Sequence, residues 1–416
     1  MRQRPRLRID VGIPNRIFPL RAYSALVALY ISVFVLITGN GLMSTLVPTR
    51  AKLEAFPDFA IGLGGAAYFG GMLLGTLADP WIIRRSGFIR AFGGFIAAAL
   101  AATAAFPVLV NPWIWACLRG VHGFAFAGVY AVIDAWVNAK ATNQNRGRLY
   151  GMYQAITFIS SALGQQLLLV QSPHSFRLFS LINILFALAI IPMMATQADP
   201  PQAPASVKIQ LGWLFSISPI GAITAFGVGA ANGSFWTLAP VYVLGVGFNA
   251  HVVADFVTAV VIGSTLMVWP VGRLSDKYDR RKMIVGLALI GMMIEFGLCV
   301  AGRPTHLVMD LLGLGLGSAT MVLYTLAISQ TNDRAGPENA LIVSAGLLFL
   351  YCVGATLAPV LASFLMQQFG PEMLFAQNGV THFIMAAFAM WRMMIRPPAV
   401  NAPRPEITPK SAALAR

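Results

Sequence analysis

Charge is scarce in this chain. Asp, Glu, Lys and Arg make up 11% of its 416 residues, where a soluble globular domain carries about 25%. So few charges could not cover a water-facing surface of this size. Hydrophobic residues make up 57%, and the mean hydropathy is +0.71. An ordinary soluble domain is thereby excluded, whereas the length accommodates about a dozen membrane helices of roughly 20 residues each. Cysteine is equally sparse. Cys117, Cys299 and Cys352 lie far apart inside apolar runs, which gives neither a disulfide framework nor a metal-ligand spacing. No glycine-rich loop ending in Gly-Lys-Ser/Thr is present, so nucleotide-driven pumping is not expected. The five histidines, His122, His174, His251, His306 and His382, form no two-histidine metal pair beside an acid. There is also no nucleophile elbow. The expectation is therefore a protein that is not an enzyme and carries no cofactor or metal.

What is present is apolar runs of membrane-crossing length, broken by short basic connectors. Twelve spans are expected, at roughly 21–48, 60–79, 90–110, 113–139, 147–170, 176–196, 213–246, 250–271, 283–301, 305–331, 338–369 and 373–394. The stretch 197–212, with Asp199, Pro200, Pro201, Pro204 and Lys208, is the one long polar break. It divides the chain into a basic N-terminal segment (1–20), a six-helix bundle (21–196), a linker (197–212), a second six-helix bundle (213–394) and a disordered tail (395–416). The charge surplus, 29 basic against 15 acidic residues, follows this layout. If the N-terminus is cytoplasmic, only Arg50, Lys52, Arg177 and Arg303 fall on the far side, and Arg119 lies inside a span. That bias places both termini in the cytoplasm and reads as membrane topology, not nucleic-acid binding. The basic start is no signal sequence, since the first apolar run is too long and no small-residue cleavage site follows it.

The two halves repeat. After the second span of the first half comes Gly75-Thr76-Leu77-Ala78-Asp79, then Arg84 and Arg85. At the matching point of the second half stands Gly272-Arg273-Leu274-Ser275-Asp276, then Arg280, Arg281 and Lys282. This second string resembles the loop motif of the major facilitator superfamily, and Arg119 with Gly123 is similar to that family's Arg-x-x-x-Gly in the fourth helix. Val132-Ile133-Asp134-Ala135-Trp136-Val137-Asn138, Asn145-Arg146-Gly147-Arg148 and Leu163-Gly164-Gln165 look like the YcaD-type branch of bacterial members. The first half departs from the loop motif at Pro80-Trp81-Ile82-Ile83. The resemblance covers essentially the whole chain. It implies an all-α fold of two pseudo-symmetric six-helix bundles, a monomer working in a bacterial inner membrane, and alternating access around a central site.

Polar groups inside spans are costly and mark candidates for function. On the fourth span Arg119, His122, Phe126, Tyr130 and Asp134 share one face. Arg119 and Asp134 stand about 22 Å apart along the axis, so each needs another partner. For Asp134 these are Arg84, Arg85 or Arg148. His122 reads equally well as a packing histidine. On the fifth span Tyr150, Tyr153, Gln154, Thr157, Ser161 and Gln165 form a polar stripe. It fits a cavity lining, or else hydrogen bonds between helices. The resemblance implies that spans 1, 4, 7 and 10 surround the pathway. The expected substrate contacts are Asn40, Arg119, His122, Tyr130, Gln154, Thr157, Asn232, Trp236 and Tyr324. Asp79, Arg84, Arg85, Asp134, Arg148, Gly272, Asp276 and Arg280 are the expected gate. Asp134, Glu295 and Asp310 are candidate proton carriers. Glu295 could instead be a neutral buried acid, and Asp310 could face Arg119.

The expected function is secondary active transport of a small organic solute, polar or anionic, driven by protons in symport or antiport. A drug/proton efflux antiporter is the alternative. The expected partners are thus a small-molecule substrate, protons and the lipid bilayer. Efflux members carry a proline in a glycine-rich motif of the fifth span, whereas this region reads Ser160-Ser161-Ala162-Leu163-Gly164-Gln165-Gln166. A non-transporting membrane sensor would be expected to carry an added soluble domain.

Overall fold

The computed structural model describes residues 17–141, 145–194 and 209–395. Most of the basic N-terminal segment, the linker as far as residue 208 and the tail beyond Ile395 lie outside them. The described residues are helical throughout. The first half comprises α1 (Ile17–Leu53), α2 (Asp58–Ser86), α3 (Phe88–Ala105), α4 (Pro112–Lys140), α5 (Arg146–Gln166) and α6 (Phe176–Met194). The second half comprises the short α7 (Leu211–Ile217), then α8 (Pro219–Gly245), α9 (Ala250–Lys277), α10 (Arg280–Val300), α11 (His306–Thr320), α12 (Leu323–Ala335), α13 (Ala340–Phe369) and α14 (Met373–Ile395).

Ten helices among the described residues are long and apolar enough to cross a membrane, with α11 and α12 counted as one span. The bent pair α7–α8, turned through 116°, makes an eleventh. The fifth expected span, α5, is 21 residues long but is absent from that set. The reason is its own stripe of Tyr150, Tyr153, Gln154, Thr157, Ser161, Gln165 and Gln166, which lowers its hydropathy. The tenth expected span is not one continuous helix, because it breaks at Met321–Val322 between α11 and α12.

The two halves pack by one plan. In the first half α2 crosses α4, α1 packs on α5 and α6, and α3 packs on α4 and α6. In the second, α9 crosses α11, α8 packs on α13 and α14, and α10 packs on α11 and α14. These are the same pairs in the same serial positions, as in a duplicated six-helix unit. The α2–α4 and α9–α11 crossings rest on glycine. A methyl group at Gly71 or Gly123 would run into the backbone carbonyl of Gly120 or Tyr68, and at Gly263 or Gly317 into that of Leu314 or Val260. Backbones approach this closely only where no side chain intervenes. The outer faces are apolar, with Leu74, Leu266, Met293, Leu311 and Phe364 exposed. In water such faces would be an aggregation hazard; in a bilayer they meet lipid.

The halves meet along α2–α13, α5–α9 and α1–α8. Among the described residues, every hydrogen bond between them lies at one end. The Phe59 N–H donates to Gln367 Oε1 at 3.2 Å, and Gln166 Nε2 donates to Asp255 Oδ1 (3.2 Å) and Thr258 Oγ1 (2.9 Å). We call this the closed end. The opposite end, which carries the α2–α3, α4–α5 and α9–α10 connections, has no such bond among the described residues, and we call it the open end.

Candidate functional site

Between the halves lies a cavity of about 260 Å³, near the lower end of the roughly 300–1,000 Å³ range of small-molecule sites. The first half supplies Asn40 and Ser44 from α1, Tyr68, Phe69 and Met72 from α2, Arg119 and Tyr130 from α4, and Thr157 and Ser161 from α5. The second supplies Trp236 and Thr237 from α8 and Tyr351 from α13.

Arg119 dominates its electrostatics. It is 9% exposed, and it is the one charged side chain in the lining. No carboxylate lies within salt-bridge distance of it among the described residues. Its guanidinium sits 4.3 Å from the centre of the Tyr68 ring. That contact offsets only part of the cost of burying a cation, since a cation–π contact stabilises by about 0.5–2 kcal/mol and an unpaired buried charge costs several. Arg119 also reaches a narrower apolar cleft towards the closed end, lined by Val47, Phe56, Ile61 and Trp115.

Neutral hydrogen-bonding groups surround the cation. Asn40 Nδ2 donates to the Tyr130 hydroxyl at 3.5 Å, and its Oδ1 lies 3.4 Å from His122 Nε2. His122 is fully buried and stacks on Phe126 at 4.7 Å, so it orients Asn40 from behind the wall. Asn232 lies beside Tyr351, and Tyr324 packs edge-on against the same ring at 5.1 Å. Neither of the two lines the cavity. Gln154 is exposed, below the Thr157–Ser161 part of the stripe. Gln165 is buried and receives a hydrogen bond from Thr45 across the α1–α5 contact. The α5 stripe thus splits between cavity lining and helix packing. Tyr68 and Tyr351 were not anticipated. A lone tyrosine in an apolar run looks like packing, and only the α2–α13 approach brings these two to one cavity.

The remaining acids find other partners. Asp134 is exposed at the open side, beside Tyr153; Arg84 and Arg148, two of the basic residues anticipated for it, are exposed, and the third, Arg85, stands by Trp81. Asp310 lies 3.4 Å from His306, which also stands 3.2 Å from Asp255 at the closed end, so it does not face Arg119. Glu295 lies 2.7 Å from His382 in the α10–α14 contact. Asp79 is buried, and both its oxygens lack a hydrogen-bond partner among the described residues. Arg280 joins Asp276 at 3.2 Å and Asp333 at 2.7 Å, all within the second half. Beside Gly272 a side-chain position would be open space.

Two equivalent helical bundles, lipid-compatible outer faces and a polar cavity on the axis between them define a multi-pass membrane protein built for passage of a solute. The chain belongs to the Major Facilitator Superfamily, whose sequence profile matches residues 29–345 and 221–415. It is 25% identical over 368 residues to the uncharacterized MFS-type transporter YcaD of Escherichia fergusonii, covering 87% of this chain and 94% of that one. To YcaD of Shigella flexneri it is 26% identical over 397 residues, covering 93% and 99%. Among solved structures, a bacterial homologue of the human lysosomal transporter Spinster, inward-facing and occupied, superposes with a TM-score of 0.75 at 14% identity, over 93% of this chain and 99% of that one. The nucleoside transporter NupG gives 0.72 at 13% identity over 88% and 98%. FucP in the outward conformation gives 0.56 at 15% identity, over 88% and 98%.

Proposed function

We propose that this protein is a secondary transporter that moves a compact organic anion of single charge across the membrane by alternating access. The observation that carries this reading is Arg119, a buried cation in the central cavity with no carboxylate beside it. A substrate anion would supply the missing partner. Only one cation lines the site, so a dianion would bring an uncompensated charge. Arg119 and Asp134 are about 22 Å apart along α4, too far to hold the two charges of an α-amino acid. Asn40, Tyr130, Thr157, Trp236 and Thr237 would hydrogen-bond or pack against the body of the substrate.

In this reading the open end is the cytoplasmic mouth and both termini are cytoplasmic, in a bacterial inner membrane. A monomer suffices, because the cavity is complete within one chain. Asp134, at the mouth, is our choice for the proton carrier. Asp79 is the gate: its unpartnered carboxylate would gain a donor when the open end closes, with Arg84, Arg85, Arg148, Asp276 and Arg280 around the same rim.

The test is thermal unfolding of the detergent-purified chain against monocarboxylates, dicarboxylates, sugars, amino acids and amphiphilic cations. A ligand at about 100 times its Kd adds roughly 2.7 kcal/mol to the folded state. Monocarboxylates are expected to give the largest shift. Arg119→Ala should cost about tenfold to a hundredfold in apparent affinity, the worth of a charge-assisted hydrogen bond. A shift confined to amphiphilic cations, or one that survives Arg119→Ala, would overturn the proposal.

A further inference from the structure

Four helix ends of the second half converge at the open end, away from the central cavity. Ser218, Pro219 and Ile220 at the start of α8, Arg281 at the start of α10, Gln330 and Arg334 near the end of α12, and Arg392 near the end of α14 line one narrow cleft. The lining holds three arginines and no acid. Asp279 pairs with Arg281 at 2.9 Å from outside it. Arg392 has no carboxylate within salt-bridge distance among the described residues, and its guanidinium lies 5.6 Å from the Trp391 ring.

Two further observations point to a ligand. Gln330 is 4% exposed and lines the cleft, yet its amide has no hydrogen-bond partner among the described residues. Its amide borders the cleft, where a ligand able to accept a hydrogen bond would meet it. The cleft also sits at the N-terminus of α8, a helix of 27 residues whose start carries a partial positive charge and favours anions. The Nε and Nη2 edge of Arg281 is held by Asp279, so the guanidiniums of Arg334 and Arg392, an amide donor and a helix start are the groups that match the oxygens of a phosphate group, which arginine binds in bidentate fashion. The 116° turn from α7 into α8 lies beside the cleft.

We propose that this cleft binds a phosphate group, carried by an anionic phospholipid of the adjoining leaflet or by a free phosphate-bearing anion. The bound group ties the ends of α8, α10, α12 and α14 together. Basic pockets between helix ends on the positive side of a membrane suit such headgroups.

The experiment is thermal unfolding of the full chain in detergent with added phosphatidylglycerol, phosphatidylcholine, inorganic phosphate or chloride. Wild type is compared with Arg334→Gln/Arg392→Gln, with Gln330→Leu and with Arg273→Gln. Arg273 lies at the same end of the protein, stacked on Trp269 at 3.7 Å, and serves as a control outside the cleft. Phosphatidylglycerol should raise the unfolding temperature of wild type and of Arg273→Gln. The double variant should lose about tenfold or more in apparent affinity, and Gln330→Leu should lose part of it. A response confined to phospholipid assigns a headgroup; a matching response to inorganic phosphate, absent with chloride, assigns a free anion. If the double variant does not fold, Gln330→Leu and Arg392→Gln decide. Unchanged responses in those variants, or no response of the wild type to phosphatidylglycerol or phosphate, overturn the proposal.

Discussion

In the second half Asp276 stands four residues before Arg280 and pairs with it. In the first half the equivalent Asp79 stands four residues before Ile83 and has no partner among the described residues. The local sequence explains both outcomes. In the second half Asp279 ends the run by capping α10, with its carboxylate accepting from the Arg281 N–H at 3.0 Å, so α9 stops at Lys277. The first half has Ile82 at that place, and α2 runs on to Ser86. One half therefore closes its loop with ion pairs that are complete in this state. The other keeps a buried carboxylate in reserve. Equal helix packing does not impose equal loop chemistry.

The largest effect should come where the halves agree. Gly123→Val and Gly317→Val each force a branched side chain against an opposing backbone carbonyl. Overpacking of this kind costs about 1–3 kcal/mol or more, and both variants should lose most of their folded yield on size-exclusion chromatography. Tolerance at one site and collapse at the other would show that the two crossings are not equivalent.

A smaller effect separates the halves. Arg280→Gln removes two partly exposed ion pairs and should cost about 1 kcal/mol, seen as a lower unfolding temperature. Asp79→Asn removes no partner and should leave that temperature unchanged or raise it. A fall on Asp79→Asn would mean that its carboxylate is already satisfied.

The smallest effect is a pH dependence confined to the second half. Burial alone would raise the Asp279 pKa, but hydrogen bonds from Arg281 and the charges of Arg281 and Lys282 outweigh it and hold the carboxyl below its usual value. A depressed folded-state pKa adds stability that is present above the unfolded value of about 3.9 and lost as pH falls through the folded one. Asp279→Asn should therefore flatten the unfolding temperature against pH in the acid range below about 4. Near pH 7 it should lower it slightly, through the lost pair with Arg281. An unchanged acid limb would remove Asp279 from the comparison.

Apolar runs, glycine strings and basic connectors made the two-bundle fold legible, because each is a local property read along one helix. Arg119 was legible for the same reason: a charge within a span needs an explanation wherever it sits. The cavity was legible only in part. Asn40, Tyr130, Thr157 and Trp236 line it with Arg119, but Asn232 and Tyr324 sit behind Tyr351, and Gln165 serves the α1–α5 contact. Helical periodicity gives a face; it does not say which neighbour that face meets. The same gap hid the pairing of Glu295 with His382, residues far apart in the chain that meet only because α10 packs on α14.

Hydropathy and charge distribution by themselves determined that this chain crosses a membrane many times, and its internal repeat determined that it does so as two similar halves. Those properties follow from transfer of single segments between water and lipid, which each segment decides alone. Which polar groups share a cavity, which acid is left unpartnered and where arginines converge on one cleft were decided by the tertiary structure. Each depends on the approach of helices distant in sequence, and burial turns that approach into a binding site or a cost.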